Sequence, residues 1–258
     1  MAMARFDLTD FEWSVIQPLL PNKVRGVERS DDRMVLNGIF WRLRTGAPWA
    51  DIPARYGPHT TCVNRFNRWR KAGVWDRLLT AVSKAYDGDI QMIDSSSIRV
   101  HQHAANAKKK DARSSCMGRS RGGLTTKIHA LVDAEGLPII LKLTEGQAHD
   151  GRSAEDMLEE MKDGQILLAD RAYDSDAMRK ALADRGAWAN VKPMPNRKNV
   201  PAFSKFLYRY RNLVERFFNK LKHFRAVATR YDKRADNFLA GVKLAAFRIW
   251  CRFNESMA

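Results

Sequence analysis

The sequence predicts an α/β layer with a mixed central sheet, preceded by a small all-α segment. Up to about residue 88, apolar residues recur at helical spacing and each run is stopped by Pro or Gly. From residue 90 the pattern changes to short apolar runs: a strand, a hairpin of two strands, then strands alternating with helices. Two of those runs, Ile90-Gln91-Met92-Ile93-Asp94 and Ile166-Leu167-Leu168-Ala169-Asp170, end in an acid.

Residues 6–20 read as a helix, with capping residues at Leu8-Thr9-Asp10 and a stop at Pro21. Residues 22–30 form a polar, basic loop. Asp31 or Asp32 caps a helix over 32–45, ended by Gly46 and Pro48. A short helical turn follows Asp51-Ile52-Pro53, and His59-Thr60-Thr61 caps a helix over 60–72. Short helix, Gly-containing turn and second helix make a helix-turn-helix pattern. The second helix carries Asn64, Arg65, Asn67, Arg68 and Arg70 on its polar sides, residue types that read base edges. A plain three-helix packing unit is the other reading of this segment. One more helix, 74–87, closes it. The tryptophans Trp13, Trp41, Trp49, Trp69 and Trp75 belong to its core.

The second part begins with the strand ending at Asp94, which Ser95 to Val100 can continue. Residues 101–121 form a basic loop with Lys108, Lys109, Lys110, Arg113, Arg119 and Arg121 against Asp111. It suits a clamp on a nucleic-acid backbone, or a solvated loop. Leu124 to Asp133 and Leu137 to Thr144 read as a hairpin, with Ala134-Glu135-Gly136 as its turn. His149-Asp150 follow in a loop that can approach the carboxyl ends of the strands. Residues 153–161 read as an acid-rich helix. The strand ending at Asp170, a helix over 175–185 and a strand over 188–192 complete the alternation, with Asp174 and Asp176 read as helix-capping residues. Ligands of such sheets collect beyond the carboxyl ends of the strands, where Asp94 and Asp170 stand.

The chain has 258 residues and a formal charge of +16. That balance favours a polyanionic partner. The sequence has no apolar run of membrane-spanning length and no leader-like N-terminus, which points to a cytoplasmic protein that meets nucleic acid. Cys62, Cys116 and Cys251 are far apart, without zinc spacing or a disulfide framework, and read as inert thiols.

Charge is densest from Lys205 to Arg234, which holds ten bases and two acids. At about 100° per residue, Phe206, Tyr210, Leu213, Val214, Phe217, Leu221 and Phe224 fall on one apolar arc of a helix. Tyr208, Arg211, Glu215 and Lys222 share a line well away from it. A carboxylate among cations suits metal-assisted phosphoryl transfer, the acid holding a metal and the bases holding phosphates. A solvated basic face with one salt-bridging Glu is the alternative. Asp94, Asp170 and Glu215 together supply the hard oxygen donors that Mg²⁺ takes.

With these residues in hand, the chain resembles the bacterial insertion-sequence transposases of the IS5 group, in the DDE class. The spacing Tyr-x2-Arg-x3-Glu-x6-Lys is met by Tyr208, Arg211, Glu215 and Lys222. Asp94 in MIDSSSIRVHQHAA matches the family's first acid and Asp170 in LLADRAYDSDAMR its second. The resemblance implies an RNase H-like mixed sheet flanked by helices over 89–258, after a helix-turn-helix-like DNA-binding domain over 1–88. It implies a DNA transposase that cleaves element ends and joins the 3′-OH to target DNA. Asp94, Asp170 and Glu215 would be catalytic and would hold two Mg²⁺ ions, for which Mn²⁺ can substitute. Tyr208, Arg211, Lys222, Arg65, Arg68, Lys109, Arg119 and Arg121 would contact DNA, and Arg171 and Tyr173 would support the second acid. The partners implied are double-stranded element ends and target DNA, a second copy of the chain on DNA, and no membrane. The place of action is the bacterial cytoplasm, at the nucleoid. A nuclease of the same fold without strand transfer, a DNA-binding regulator with an inactive core and an RNase H-type RNA enzyme are the competing readings.

Overall fold

A computed structural model of the chain describes residues 4–21, 30–84, 88–105, 115–153 and 155–257. In chain order its elements are α1 (Asp10–Ile16), α2 (Asp32–Thr45), α3 (His59–Lys71), α4 (Val74–Ser83), β1 (Ile90–Val100), α5 (Gln102–Ala105), β2 (Gly118–Ser120), β3 (Gly123–Val132), β4 (Pro138–Glu145) and α6 (Asp150–Ser153). They continue with β5 (Ile166–Ala169), α7 (Asp176–Ala183), β6 (Trp188–Val191), α8 (Lys205–Tyr208), α9 (Asn212–Lys222), α10 (Arg225–Ala228) and α11 (Ala235–Met257).

The chain divides into two compact units, and the division is not the single boundary expected near residue 88. One unit holds residues 1–82, 101–107 and 220–258; the other holds 83–100 and 108–219. The long C-terminal helix therefore groups with the N-terminal helices rather than with the sheet. The reason lies in α11 itself: Phe238, Val242, Leu244, Ala245, Phe247, Ile249 and Trp250 are buried. Its apolar surface needs helical partners, and it packs on α1, α2 and α3.

The helical unit begins with a capping box at α1, in which Thr9 accepts from the Glu12 amide and Glu12 reaches back to the Thr9 amide. Glu12 is also fully buried. Its carboxylate accepts from Arg248 Nε at 2.9 Å and Arg248 Nη2 at 3.0 Å, and Arg248 donates further to the Phe6 and Asp7 carbonyls. This bidentate pair pins α1 to α11. Helix α2 starts on the Asp31 side chain and stops at Gly46, whose φ of 74° is the left-handed conformation that ends helices. The turns Trp49–Asp51 and Ala54–Tyr56 that lead into α3 are 3-10. No side chain caps α3, since Pro58 occupies the N-cap and His59, Thr60 and Thr61 already lie within or at the start of the helix. Trp69 and Trp75 meet edge to face at 5.4 Å in the core, whereas Trp13, Trp41 and Trp49 are only half-buried.

In the sheet unit β3 lies between β4 and β1, antiparallel to both, and β1, β5 and β6 run parallel to one another. The short β2 extends the β3 side of the sheet. β1 is the longest strand, paired with β3 along most of its length and with β5 at its start. Ile93, Leu131, Leu167, Ala169, Tyr173, Met178, Leu182 and Val191 form the core between the sheet and α7. The expected acid-rich helix at 153–161 is instead a 3-10 turn, Glu155–Leu158. That turn sends Met157 and Leu158 into this core, with Met161 beside them.

The basic segment after β6 departs from its expected single helix. Helix α8, a 3-10 turn over Arg209–Arg211 and helix α9 replace it. Val214 and Phe217 are buried as their spacing predicts, but Phe206 and Tyr210 are exposed at 60% and 46%. The break at 209–211 rotates them off the apolar arc.

Candidate active site

The parallel register of β1 and β5 fixes the first feature of the site. Met92 lies opposite Leu168. Continued two residues beyond that pair, the register sets Asp94, within β1, level with Asp170, the residue after β5, neighbouring strands running about 4.8 Å apart. Side chains alternate along a strand, so Met92 and Asp94 share one face of the sheet while Ile93 and Ser95 share the other. Asp94 is thus on the face opposite the α7 core.

Arg211, from the 3-10 turn, meets Asp94 on that face. Its Nη1 donates to Asp94 Oδ2 at 2.8 Å, and its Nη2 donates to Glu215, one helical turn further on. One guanidinium therefore bridges the first and third expected acids. The remaining Asp94 oxygen, Oδ1, accepts from the Ser95 amide at 2.7 Å. Asp170 caps the 3-10 turn Arg171–Tyr173, its Oδ1 accepting from the Ala172 amide at 2.9 Å. Burial lifts the Asp94 carboxyl above its ordinary range. The Ser95 amide and Arg211 draw it back, and the charge of Asp170 adds to the rise. Burial works against the Arg211 charge as well, but Asp94, Tyr208 and Glu215 outweigh it and hold the guanidinium protonated.

The three carboxylates are neighbours but not a closed cage. Among the described residues no group of three His, Cys, Asp or Glu side chains is arranged to hold a metal ion. Glu215 is turned to Arg211. The chemistry of the donor set, carboxylate oxygen throughout, nevertheless fits a hard divalent cation.

Two family models cover most of the chain. One, described as "Transposase DDE domain", matches residues 85–249, and one described as "Putative transposase of IS4/5 family" matches residues 8–79. The chain belongs to the DDE transposase family. It is a DNA transposase, an enzyme acting on DNA, and a divalent metal is a general requirement of a DDE domain. A curated relative from Brucella ovis, "Putative transposase for insertion sequence element IS6501", is 42% identical over 130 residues, half of this chain and all of that one. "Putative transposase for insertion sequence element IS402" from Burkholderia cepacia is 31% identical over 49% of this chain and 62% of its own length. Among solved structures, that of the piggyBac transposase synaptic complex with hairpin DNA has a TM-score of 0.56. It covers 94% of this chain and 71% of that one at 10% identity, a likeness of fold alone. The mixed sheet is of the RNase H-like kind that such transposases share. The two family models meet between residues 79 and 85, although the transposase's compact units interleave.

The other expected site residues sort by position. Tyr208 is half-buried, its ring against Phe203 at 5.2 Å with Lys192 and Arg211 over its face. Lys222 is exposed on α9, and Arg119 and Arg121 are exposed on β2 and the turn after it. Lys109 lies outside the described residues. On α3, Arg68 is exposed, and with Thr60, Asn64 and Lys71 it forms an outward stripe. Arg65 corrects the expectation. It is buried, paired with Asp32 and stacked over Trp69 at 5.2 Å, so its charge is used inside the helical unit. Arg70 is likewise paired, with Asp236. Asp174 does not cap α7, because Ser175 does; Asp174 is buried between Arg179 and Arg197. Two buried groups escaped the sequence reading. His129 on β3 bonds Thr144 at 2.7 Å, and burial pushes its pKa down to about 4. Asp133, at the hairpin turn, is pushed up to about 6 by burial. Neither carries a local sequence signal. No disulfide joins the three cysteines, and Cys62 and Cys251 are buried. No helix among the described residues is long and apolar enough to cross a membrane.

Proposed function

We propose that this transposase cleaves the ends of its insertion element and joins the freed 3′-OH to target DNA, with Asp94, Asp170 and Glu215 as the catalytic acids. Water opens the phosphodiester at the element end and leaves a 3′-OH. That hydroxyl then displaces a 3′ oxygen of the target strand, one ester bond forming as another breaks, without a covalent enzyme intermediate. The observation that supports this reading best is the convergence of the β1–β5 register and Arg211 on one spot: Asp94 and Asp170 level with each other, and Glu215 tied to Asp94 through one side chain. Asp94, Asp170 and Glu215 would hold two Mg²⁺ ions, or Mn²⁺ in their place. When bound, the ions supply Lewis acidity to the attacking and leaving oxygens.

The chain's own groups have distinct work. Arg211 orients Asp94 and Glu215, and its guanidinium is placed to turn to a DNA phosphate as the carboxylates are neutralised. Lys222 contacts phosphate, and Tyr208 positions the terminal nucleotides. Arg119, Arg121 and Lys109 hold the duplex backbone, and the stripe of Thr60, Asn64 and Arg68 reads the element end. Double-stranded DNA is the partner, and at least two copies act together to bring two ends to one target. The charge of +16 supports the first of these; the synaptic complex formed by the structurally similar piggyBac transposase supports the second. The work is done at the nucleoid, in the bacterial cytoplasm.

A labelled element-end duplex tests the reading. Wild type with Mg²⁺ or Mn²⁺ is expected to nick the end and join it to target DNA, whereas Glu215→Gln binds the duplex and does neither. Retention of both steps by Glu215→Gln would remove Glu215 from the site. Cutting without joining by the wild type would make the protein a nuclease.

A further inference from the structure

Behind the acids, on the opposite face of β1, lies a second polar cluster that the reaction as described does not use. Asp150, at the start of α6, is its centre. Its Oδ1 accepts from Ser95 Oγ at 2.9 Å and from Lys127 Nζ at 2.9 Å, and Lys127 also donates to the Ala148 carbonyl at 2.7 Å. Three chain segments meet in that one oxygen: β1 directly after Asp94, β3 two residues before His129, and α6.

The same turn presses on the second acid's segment. A Cβ at Gly151 would stand 3.1 Å from the Ala172 carbonyl, so the α6 backbone lies directly against the 3-10 turn that Asp170 caps. Tyr173, from that turn, is buried, and its hydroxyl makes no hydrogen bond of ordinary geometry. Ser95 lies beside it, and the charges of Asp150, Asp94 and Asp170 reach it. It sits where the backbones of both aspartates are braced.

We infer that Asp150 is a positioning residue of the transposase: through Ser95 it fixes the backbone that aims Asp94, and through the α6 turn it fixes the distance from Asp94 to the Asp170 turn. This rests on Asp94 and Asp170 being the acids proposed above. Asp150 touches neither DNA nor the reacting atoms, and Lys127 keeps its charge balanced. The cluster is built to hold still, since Ser95, Asp150 and Lys127 each bond a partner from another segment.

The test uses the full chain and four variants: Asp150→Ala, Asp150→Asn, Ser95→Ala and the double variant Ser95→Ala/Asp150→Ala. Cleavage of the element-end duplex is followed as a function of Mg²⁺, Mn²⁺ binding to the DNA-free protein by calorimetry, and duplex affinity by gel shift. Groups that orient metal ligands through a hydrogen bond typically change metal affinity or activity by about 10–100-fold. Asp150→Ala is therefore expected to lower the cleavage rate and raise the half-saturating Mg²⁺ by about 10-fold or more, with weaker Mn²⁺ binding and unchanged duplex affinity. Asp150→Asn, which keeps an acceptor for Ser95, should recover much of the loss. Ser95→Ala should resemble Asp150→Ala, and the double variant should be no worse than the poorer single one, because both break one link. Wild-type metal dependence in Asp150→Ala overturns the inference. So do independent, multiplying losses in the double variant, and a loss of duplex binding equal to the loss of cleavage. A cleaving Asp94→Asn control overturns the assignment of the acids instead, and so separates the two failures.

Discussion

Glu12→Ala is the sharpest perturbation of the helical unit. Glu12 is fully buried, and its carboxylate takes both forks of Arg248, the Thr9 amide at 3.0 Å and a more distant Arg252 at 3.4 Å. Removing it leaves the Arg248 charge buried against the Phe6 and Asp7 carbonyls and the face of the Phe40 ring, with no carboxylate among the described residues to balance it. Breaking a buried ion pair from one side costs about 3–5 kcal/mol. Loss of the reciprocal half of the capping box adds about 0.5–1 kcal/mol, so about 4–5 kcal/mol is expected. All the tryptophans except Trp188 lie in the helical unit, so their fluorescence reports its unfolding. With a urea slope of about 2 kcal/mol per molar, the midpoint should fall by about 2 M. Glu12→Gln should lose roughly half as much. The pair Glu12→Leu/Arg248→Met should recover most of it, since apolar groups of similar volume replace buried ions at little cost. A midpoint for Glu12→Ala within about 0.3 M of wild type would refute the reasoning. So would a double variant less stable than Glu12→Ala alone.

Three further outcomes follow from the sheet unit. Gly136 has a φ of 77°, and a Cβ there would stand 2.9 Å from the Leu213 carbonyl at the start of α9. Gly136→Ala should cost about 1–2 kcal/mol of backbone strain and, by shifting the helix that carries Glu215, lower end cleavage more than duplex binding; equal losses in both would count against it. Arg211→Lys cannot span Asp94 and Glu215 with one compact ammonium, and charged hydrogen bonds are worth about 1.5–3 kcal/mol each. Cleavage should fall at least about 10-fold, and full rescue by Lys would show that only charge matters there. His129 titrates at about 4 when folded against 6.5 when unfolded. Between those values the unfolded chain takes up a proton that the folded one refuses, so stability falls as pH drops from 6.5 to 4, by at most about 3 kcal/mol. Asp133 changes with the opposite sign and cancels when wild type is compared with His129→Gln. A stability difference between those two that does not vary with pH would mean that His129 is charged in the fold.

Local signals made much of this legible. The bounds of α2 are written in Asp31 and Gly46, and β1 and β5 in two apolar runs that end in aspartate. Because both aspartates stand at the same offset from the paired Ile90 and Ile166, the parallel register brings them level. What stayed hidden depends on distant partners. A helical wheel puts Arg65 on a polar side, but Asp32, on α2, draws it inward. Periodicity places Phe206 and Tyr210 with Phe217, yet nothing in their spacing reveals the 3-10 turn at Arg209–Arg211 that exposes them. Glu12, an acid in the first turn of a short helix, gives no sign of the Arg248 that buries it.

The interleaving of the two units sets an order of events during synthesis. Helices α1 to α4 leave the ribosome first, but the surfaces they bury against α11 find no partner until the rest of the chain has been made; Glu12 waits 236 residues for Arg248. The sheet unit, whose segments are all complete by Asn219, is free to form in between. Contacts this distant in sequence are slow to close and leave apolar surface open meanwhile. A chain halted before α11 can form its sheet unit but cannot finish its helical one.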